Sequence, residues 1–379
     1  MFDRLEGIGR FAYETLIRIA RNHPEHTFLF VHDRKADPRW DFPDNVKWIS
    51  TLLPSRHPFL WYLRFHWEIP ALLRLHKPDI FFSPDGWSIP GKLPKVLVLH
   101  DLNFLHHPEN LPFFTRHYLQ HFFPIYAGQA NKLITVSRFS AQDIHENLGI
   151  SLPEIGVVYN AAGPDFKPLS DSENHATRQF YNSGKPYFLF LGAHIPRKNL
   201  PRLLQALDAL WQEQPEAPNL LIVGEAMWSG SQVQMSLKEL NKPDKVHFTG
   251  RLQRKEVPRV VAAAHALLLP SLFEGFGIPV LEAMASGVPV LTSNCSSLPE
   301  VAGNAAVLVD PFSTADIKKG IESVLSNQTV RANCISQGLN RAAEFSWDHS
   351  ANQLYTHLQS LFPNKSTTKA CDFSGQNEG

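Results

Sequence analysis

Cysteine is scarce in this chain. Cys295, Cys334 and Cys371 are the whole supply among 379 residues, too few and too scattered for a disulfide framework or a cysteine-rich zinc site. A reducing, cytoplasmic setting is the plain expectation. An excess of charge of either sign is also missing. Lys+Arg and Asp+Glu stand at 36 each, so no global field points to a nucleic-acid partner. No apolar run approaches the roughly 20 residues that cross a bilayer, and no signal-peptide pattern opens the sequence. What remains is a globular composition, 43% hydrophobic, in a chain long for one core and natural for two domains. Histidine (18) and phenylalanine (26) are abundant, and many lie in the first third.

Short apolar runs recur along the chain and read as strands. In the first half they cover 28–32, 80–83, 96–100, 133–137 and 156–159. In the second half they cover 187–192, 220–224, 246–250, 266–270, 288–293 and 306–309. Helical patterns such as 200–213 and 255–265 lie between most of them. Strands alternating with helices imply parallel sheets covered on both faces. The fold class expected is therefore α/β, with two Rossmann-like doubly wound domains facing a cleft. The boundaries are 1–165 for the first domain, 166–185 for a Pro-, Gly- and Ser-rich linker and 186–345 for the second domain. A final helix over 347–361 sits within a segment 346–363. Residues 364–379 are polar and without period, which implies a disordered tail.

The start of the chain is unusual. Gly7-Ile8-Gly9-Arg10-Phe11 opens a helix over 11–22, and a doubly wound domain should place a strand before that glycine turn. Only residues 1–6 precede it, and Asp3, Arg4 and Glu6 make them a poor strand. The missing strand would be central, and each buried backbone bond left unmade costs about 1–3 kcal/mol. The expectation is that the recorded start lies inside a longer natural reading frame.

The most informative run is Pro270-Ser271-Leu272-Phe273-Glu274-Gly275-Phe276-Gly277-Ile278-Pro279-Val280-Leu281-Glu282. A buried strand leads into it. Pro279 suits the first turn of a helix, where its missing N–H costs nothing, and Gly287 suits the left-handed cap after it. One acid thus lies on a glycine-rich loop and the other one turn into a helix. Open α/β sheets bind ligands beyond the carboxyl ends of their strands. A helix start there offers free N–H groups to a phosphate.

This pair, in these surroundings, resembles the E-x7-E motif of the retaining GT-B glycosyltransferases of family 4, the glycosyl transferases group 1. Val136-Ser137-Arg138, Val157-Val158-Tyr159-Asn160, Leu191 to Asn199, Phe248-Thr249-Gly250 and Leu298-Pro299-Glu300-Val301 look like further landmarks of that family, in its order. The resemblance implies that the second domain holds a nucleotide diphosphate sugar and the first holds the acceptor. It implies that Lys198 meets the diphosphate, where negative charge builds up as the donor breaks. Many members carry an Arg just after the strand glycine. Here that position is Ala193, and Arg197 is a substitute. Gly277 and Ile278 would offer backbone N–H groups to phosphate or sugar. Glu274 would accept from sugar hydroxyls and Glu282 from the ribose. His100, at the end of its strand, would lie near the donor sugar. Gly7 and Gly9 would form a loop that lets the backbone approach the donor phosphate or the acceptor from the opposite domain.

Other constellations have competing explanations. Gly7, Gly9 and Ala12 with Asp33 match a dinucleotide fingerprint, G-x-G-x-x-A plus an acid, but without its leading strand. His117 and His121 have metal-ligand spacing but no evident third ligand, and a solvated helix face explains them. Asp-x-Asp is absent throughout, so no metal and no cofactor beyond the donor substrate are expected. Residues 56–77 and 104–126 combine aromatic with basic side chains, which suits a peripheral membrane contact or a lipid-linked acceptor. An amphipathic core helix explains them as well. The function expected is a metal-independent hexosyltransferase, with mannose- or glucose-type specificity, acting on a glycan or lipid-linked saccharide of the cell envelope. It would work in the cytoplasm or on the inner face of the plasma membrane. The alternatives are an inactive sugar-nucleotide-binding protein and, less favoured, an NAD-dependent oxidoreductase.

Overall fold

The computed structural model describes residues 7–33, 40–54, 57–225 and 231–362. In the first domain β1 (Phe28–His32) pairs in parallel with β2 (Val46–Ser50). β3 (Phe81–Ser83), β4 (Lys95–Val98), β5 (Lys132–Thr135) and β6 (Ile155–Val157) form a second parallel sheet in that order. Two sheets thus stand where a single one was expected. β1 and β3 each have one hydrogen-bonded neighbour among the described residues, and β1 is only half-buried along most of its length. β4, covered on both faces, is buried throughout. Residues 1–6, expected to be a poor strand, and the expected tail 364–379 lie outside the described residues.

β2 has no counterpart among the expected strands. Its sequence, Val46-Lys47-Trp48-Ile49-Ser50, carries no continuous apolar run. Aromatic packing holds it instead: Trp48 stands edge-on to Phe30 at 5.3 Å and to Phe42 at 5.7 Å.

The second domain is one six-stranded parallel sheet. Its strands are β7 (Tyr187–Leu191), β8 (Asn219–Val223), β9 (Val246–Gly250), β10 (Ala266–Leu269), β11 (Val290–Ser293) and β12 (Val307–Val309), in the order β12-β11-β10-β7-β8-β9. The order reverses between β7 and β10, where Ala266 stands opposite Phe188 and Leu267 opposite Leu189. The chain leaves these two neighbours toward opposite sides of the sheet, so their carboxyl ends open a crevice. Every residue of β7 and β10 is buried, as continuous apolar runs in a parallel sheet require.

Part of the expected linker is a structured element. Asp171–Asn182 is a helix, started by a reciprocal capping box in which Ser170 and Glu173 satisfy each other's backbone N–H groups. It docks on the second domain: Arg178 donates to the Ala263 carbonyl at 2.9 Å and Tyr181 to Glu256 at 3.3 Å. The final helix, Trp347–Gln359, returns to the first domain. There Arg18 meets Asp348 at 2.8 Å, Ser350 Oγ donates to the Tyr159 carbonyl, and Tyr355 stacks on His23.

Candidate active site

The loops after β7 and β10 are stitched together by their backbones. Pro196–Lys198 is a 3-10 turn. Asn199 follows in the left-handed region (φ 60°), which Asn tolerates. Its side chain donates to the carbonyls of Pro270 at 3.0 Å and Pro311 at 2.7 Å. The Leu272 N–H donates to the Arg197 carbonyl at 2.7 Å. This brings three side chains onto Glu274. Lys198 Nζ lies 2.7 Å from Oε1, Arg197 Nη1 lies 2.6 Å from Oε2, and Ser271 Oγ donates to Oε1 at 2.9 Å. Glu274 and Lys198 are 6% and 7% exposed, so neither is a solvated surface charge. Burial alone would push the Glu274 carboxyl up, but Arg197 and Lys198 outweigh it and hold the group at about 2.

Gly275 and Gly277 shape the turn into the Ile278–Ala285 helix. A Cβ at Gly275 would stand 2.7 Å from the His100 carbonyl oxygen, so the second domain touches the first through a bare backbone. Gly277 caps the helix at φ 97°, a conformation glycine adopts at little cost. At the start of that helix Pro279 has no N–H and the Val280 N–H donates to the Gly277 carbonyl at 3.0 Å, which leaves the Ile278 N–H without an intrahelical partner. The start of the first helix lies close by: a Cβ at Gly7 would stand 3.8 Å from the Ile278 side chain. One turn on, Glu282 is 5% exposed and forms an ion pair with Arg10 of the first domain. Burial pushes the Glu282 carboxyl up, and Arg10 opposes the shift.

The first-domain half corrects one expectation. Gly7 and Gly9 lie within the first turn of a helix, Gly7–Asn22, and not on a loop. Asp33, the proposed acid of the dinucleotide fingerprint, faces Arg64 at 3.4 Å. His100 follows β4 as expected. Its Nε2 donates to the Pro84 carbonyl at 2.9 Å, and its ring stands edge-on to Phe11 at 5.2 Å. Burial pushes its pKa down, which favours the neutral ring. His117 Nδ1 bonds the Phe113 carbonyl one turn back. Among the described residues, the group of three side chains close enough to share a metal is His23, Glu25 and His26, at the surface near the start of β1.

Several partnerships between the domains had no signal in the sequence. Arg10 stood within the quoted glycine run, yet nothing local marks its partner 272 residues away. Glu300 accepts from the backbone N–H groups of Arg138 at 2.8 Å and Phe139 at 2.9 Å, and from the Tyr159 hydroxyl at 2.9 Å. A carboxylate of the second domain thus sits on a helix N-terminus of the first. Ser137 Oγ adds a bond to the Gly275 carbonyl at 2.8 Å. Three of the sequence landmarks are therefore partners in one interdomain contact.

The site thus holds two buried acids, three basic side chains and an open helix start at the reversal point of a doubly wound sheet. Comparison with known proteins bears on this geometry. Residues 171–341 match the family model described as glycosyl transferases group 1, and residues 5–166 match that of glycosyltransferase family 4. O-antigen chain mannosyltransferase B of Escherichia coli is 31% identical over 367 residues, covering 92% of this chain and 94% of that protein. O-antigen chain mannosyltransferase RfbU of Salmonella typhimurium is 26% identical and covers 77% of each. Among solved structures, WaaG, a glycosyltransferase involved in lipopolysaccharide biosynthesis, superposes with a TM-score of 0.72 at 20% identity, covering 93% of this chain and 96% of that one. Anabaena HepE in complex with UDP and glucose gives 0.71 at 20% identity over 92% and 96%. The fold is that of the GT-B enzymes.

Proposed function

The chain belongs to the glycosyl transferases group 1, and from that premise we propose that it moves a hexose from a nucleotide diphosphate sugar to a hydroxyl of a glycan or lipid-linked saccharide, with retention of anomeric configuration. The observation that carries this is the convergence of Lys198 and Arg197 on Glu274 at the carboxyl ends of β7 and β10. The site is neutralised from within: Glu274 is paired with Lys198 and Arg197, and Glu282 with Arg10. Donor binding exchanges these partners. The diphosphate takes Lys198, Arg197 and the N–H groups at Gly277 and Ile278. Glu274 turns to the sugar hydroxyls and Glu282 to the ribose, while Arg10 is released toward the diphosphate.

The bond from the anomeric carbon to the phosphate oxygen breaks, and the bond to the acceptor oxygen forms on the same face. The acceptor proton passes to the leaving diphosphate. Neither glutamate takes the part of a glycosidase acid or nucleophile in this reading, because with the donor bound Glu274 accepts from sugar hydroxyls and Glu282 from the ribose. His100, kept neutral, orients the sugar. The basic side chains supply the countercharge without a metal ion. The mannosyltransferases among the relatives favour a mannose-type donor and an envelope polysaccharide product, made at the cytoplasmic face of the membrane.

A thermal-shift panel of UDP-, GDP- and ADP-sugars tests this directly. A true donor at a hundredfold excess over its Kd stabilises by roughly 2.7 kcal/mol. Failure of every nucleotide sugar to stabilise the protein would overturn the proposal.

A further inference from the structure

Three side chains of ligand type that the donor site does not use meet where the first helix hands over to β1. His23, Glu25 and His26 each offer one ligand atom, and the three atoms lie within 4.8 Å of one another. His23 Nδ1 is 3.1 Å from Glu25 Oε1, and His26 Nε2 is 3.7 Å from the same oxygen. Two ligands on a tetrahedral zinc ion, each about 2.0–2.1 Å from the metal, stand about 3.4 Å apart. The two separations bracket that value.

The turn that carries these groups is fixed by its own bonds. Pro24 locks one backbone angle between the two histidines. The His26 N–H closes the turn on the His23 carbonyl at 3.2 Å. Asn45 pins it from the side, with Nδ2 donating to the carbonyls of Ala20 at 3.0 Å, His23 at 3.2 Å and His26 at 3.1 Å. The rings are held as well. His23 lies flat on Tyr355 with centroids 3.4 Å apart, and His26 stands edge-on to Phe362 at 5.0 Å. Both imidazoles are half-buried and Glu25 is exposed, so an ion could enter from solvent. Ligands locked in this way lose little freedom when an ion arrives.

Two imidazole nitrogens and one carboxylate oxygen suit zinc and its neighbours in the transition series, whereas magnesium and calcium take oxygen ligands. Three protein ligands leave the fourth position of a tetrahedron to water. The Tyr355 hydroxyl, 2.9 Å from His26 Nε2, stands ready to hold that water. Tyr355 belongs to the Trp347–Gln359 helix, which the chain brings back from the second domain. The group lies at the amino end of β1, whereas the donor site lies beyond the carboxyl ends of the strands.

We propose that His23, Glu25 and His26 bind a zinc-class divalent ion, which ties the turn before β1 to the returning helix through Tyr355. The proposal is independent of the transfer chemistry.

The test is calorimetric titration of the full chain, free of any histidine tag and stripped by a chelator, with zinc chloride. The wild type should take up one equivalent, and magnesium chloride should give no binding heat. Cobalt(II) in place of zinc should show the strong visible absorption of a four-coordinate site. His26→Ala and Glu25→Gln should each weaken zinc binding at least tenfold, since losing even a supporting partner of a ligand costs about 10–100-fold. Glu25→Gln changes an exposed side chain that folding does not need. His117→Ala, which removes one of two helix histidines at metal-ligand spacing, should leave the binding unchanged. Zinc should also slow amide exchange in the Trp347–Gln359 helix. No uptake, uptake without defined stoichiometry, uptake untouched by His26→Ala and Glu25→Gln, or uptake lost with His117→Ala overturns the site. Uptake at the site without slower exchange in that helix overturns the tie through Tyr355. Nucleotide-sugar binding should be the same in wild type and Glu25→Gln. Its absence in the wild type would end the function proposed above and leave the metal site standing.

Discussion

Arg10, in the first turn of the first helix, forms an ion pair with Glu282, one turn into the helix that carries the donor site. Their 272-residue separation is bridged only when the two domains are together. Removing one partner of a buried pair leaves a lone charge, at a cost of about 3 kcal/mol. Arg10→Gln should therefore lower the unfolding free energy by roughly that amount, and Arg10→Gln with Glu282→Gln should recover part of it. Urea unfolding of the two single variants and the double variant reads the coupling directly. If the loss in the double variant equals the sum of the two single losses, the pair is not an energetic unit.

Glu274 carries the acid side of stability. Its folded pKa of about 2 lies below the ordinary 4.5. The folded protein therefore binds a proton less readily there than the unfolded chain does. The stabilisation is complete above about pH 4.5 and is lost as the pH falls toward about 2. At ~1.36 kcal/mol per unit its upper bound is roughly 3 kcal/mol. Glu274→Gln should flatten the stability curve across that acid window. A variant curve parallel to the wild type would remove Glu274 from the titration.

Gly275 is a test of domain closure. A methyl group there meets the His100 carbonyl oxygen at 2.7 Å and Asp101 at 2.9 Å. Gly275→Ala should cost about 1–3 kcal/mol through the forced shift and should slow transfer more than it weakens nucleotide binding. Comparing kcat with nucleotide Kd separates the two. Unchanged kcat would mean that the contact is not maintained during turnover.

The interdomain carboxylate Glu300 gives a milder outcome. It caps the Arg138–Leu148 helix from across the cleft. Glu300→Ala should cost about 1 kcal/mol, as loss of a helix cap does, with a drop in melting temperature and donor affinity largely kept. A collapse of donor binding would give Glu300 a direct role in the site.

Much of this was legible in the sequence where the physics is local. Runs such as 187–192 and 266–270 are apolar throughout because a parallel sheet buries both faces of its strands, so β7 and β10 stood out. The loop and helix around Glu274 and Glu282 were legible because glycine, proline and acid positions each answer to a backbone requirement. β2 was not, since its place is set by Trp48, Phe30 and Phe42 meeting from separate segments. The helix at Asp171–Asn182 had a signal, the Ser170–Glu173 capping box, hidden in a stretch whose prolines and glycines look like linker. Arg10–Glu282 and Glu300–Arg138 had none, because pairs across a cleft depend on how two finished domains meet.

Glycosyl transfer through the site at Lys198 and Glu274 is the central claim. The direct measurement is NMR of donor consumption and product anomer with wild type and Lys198→Ala, across UDP-, GDP- and ADP-sugars and an oligosaccharide acceptor. The expected result is release of the nucleoside diphosphate from one donor class, a product with the donor's anomeric configuration, and a fall in kcat/KM of about 10²–10³ in the variant. Transfer unaffected by Lys198→Ala, or a product of inverted configuration, would contradict it.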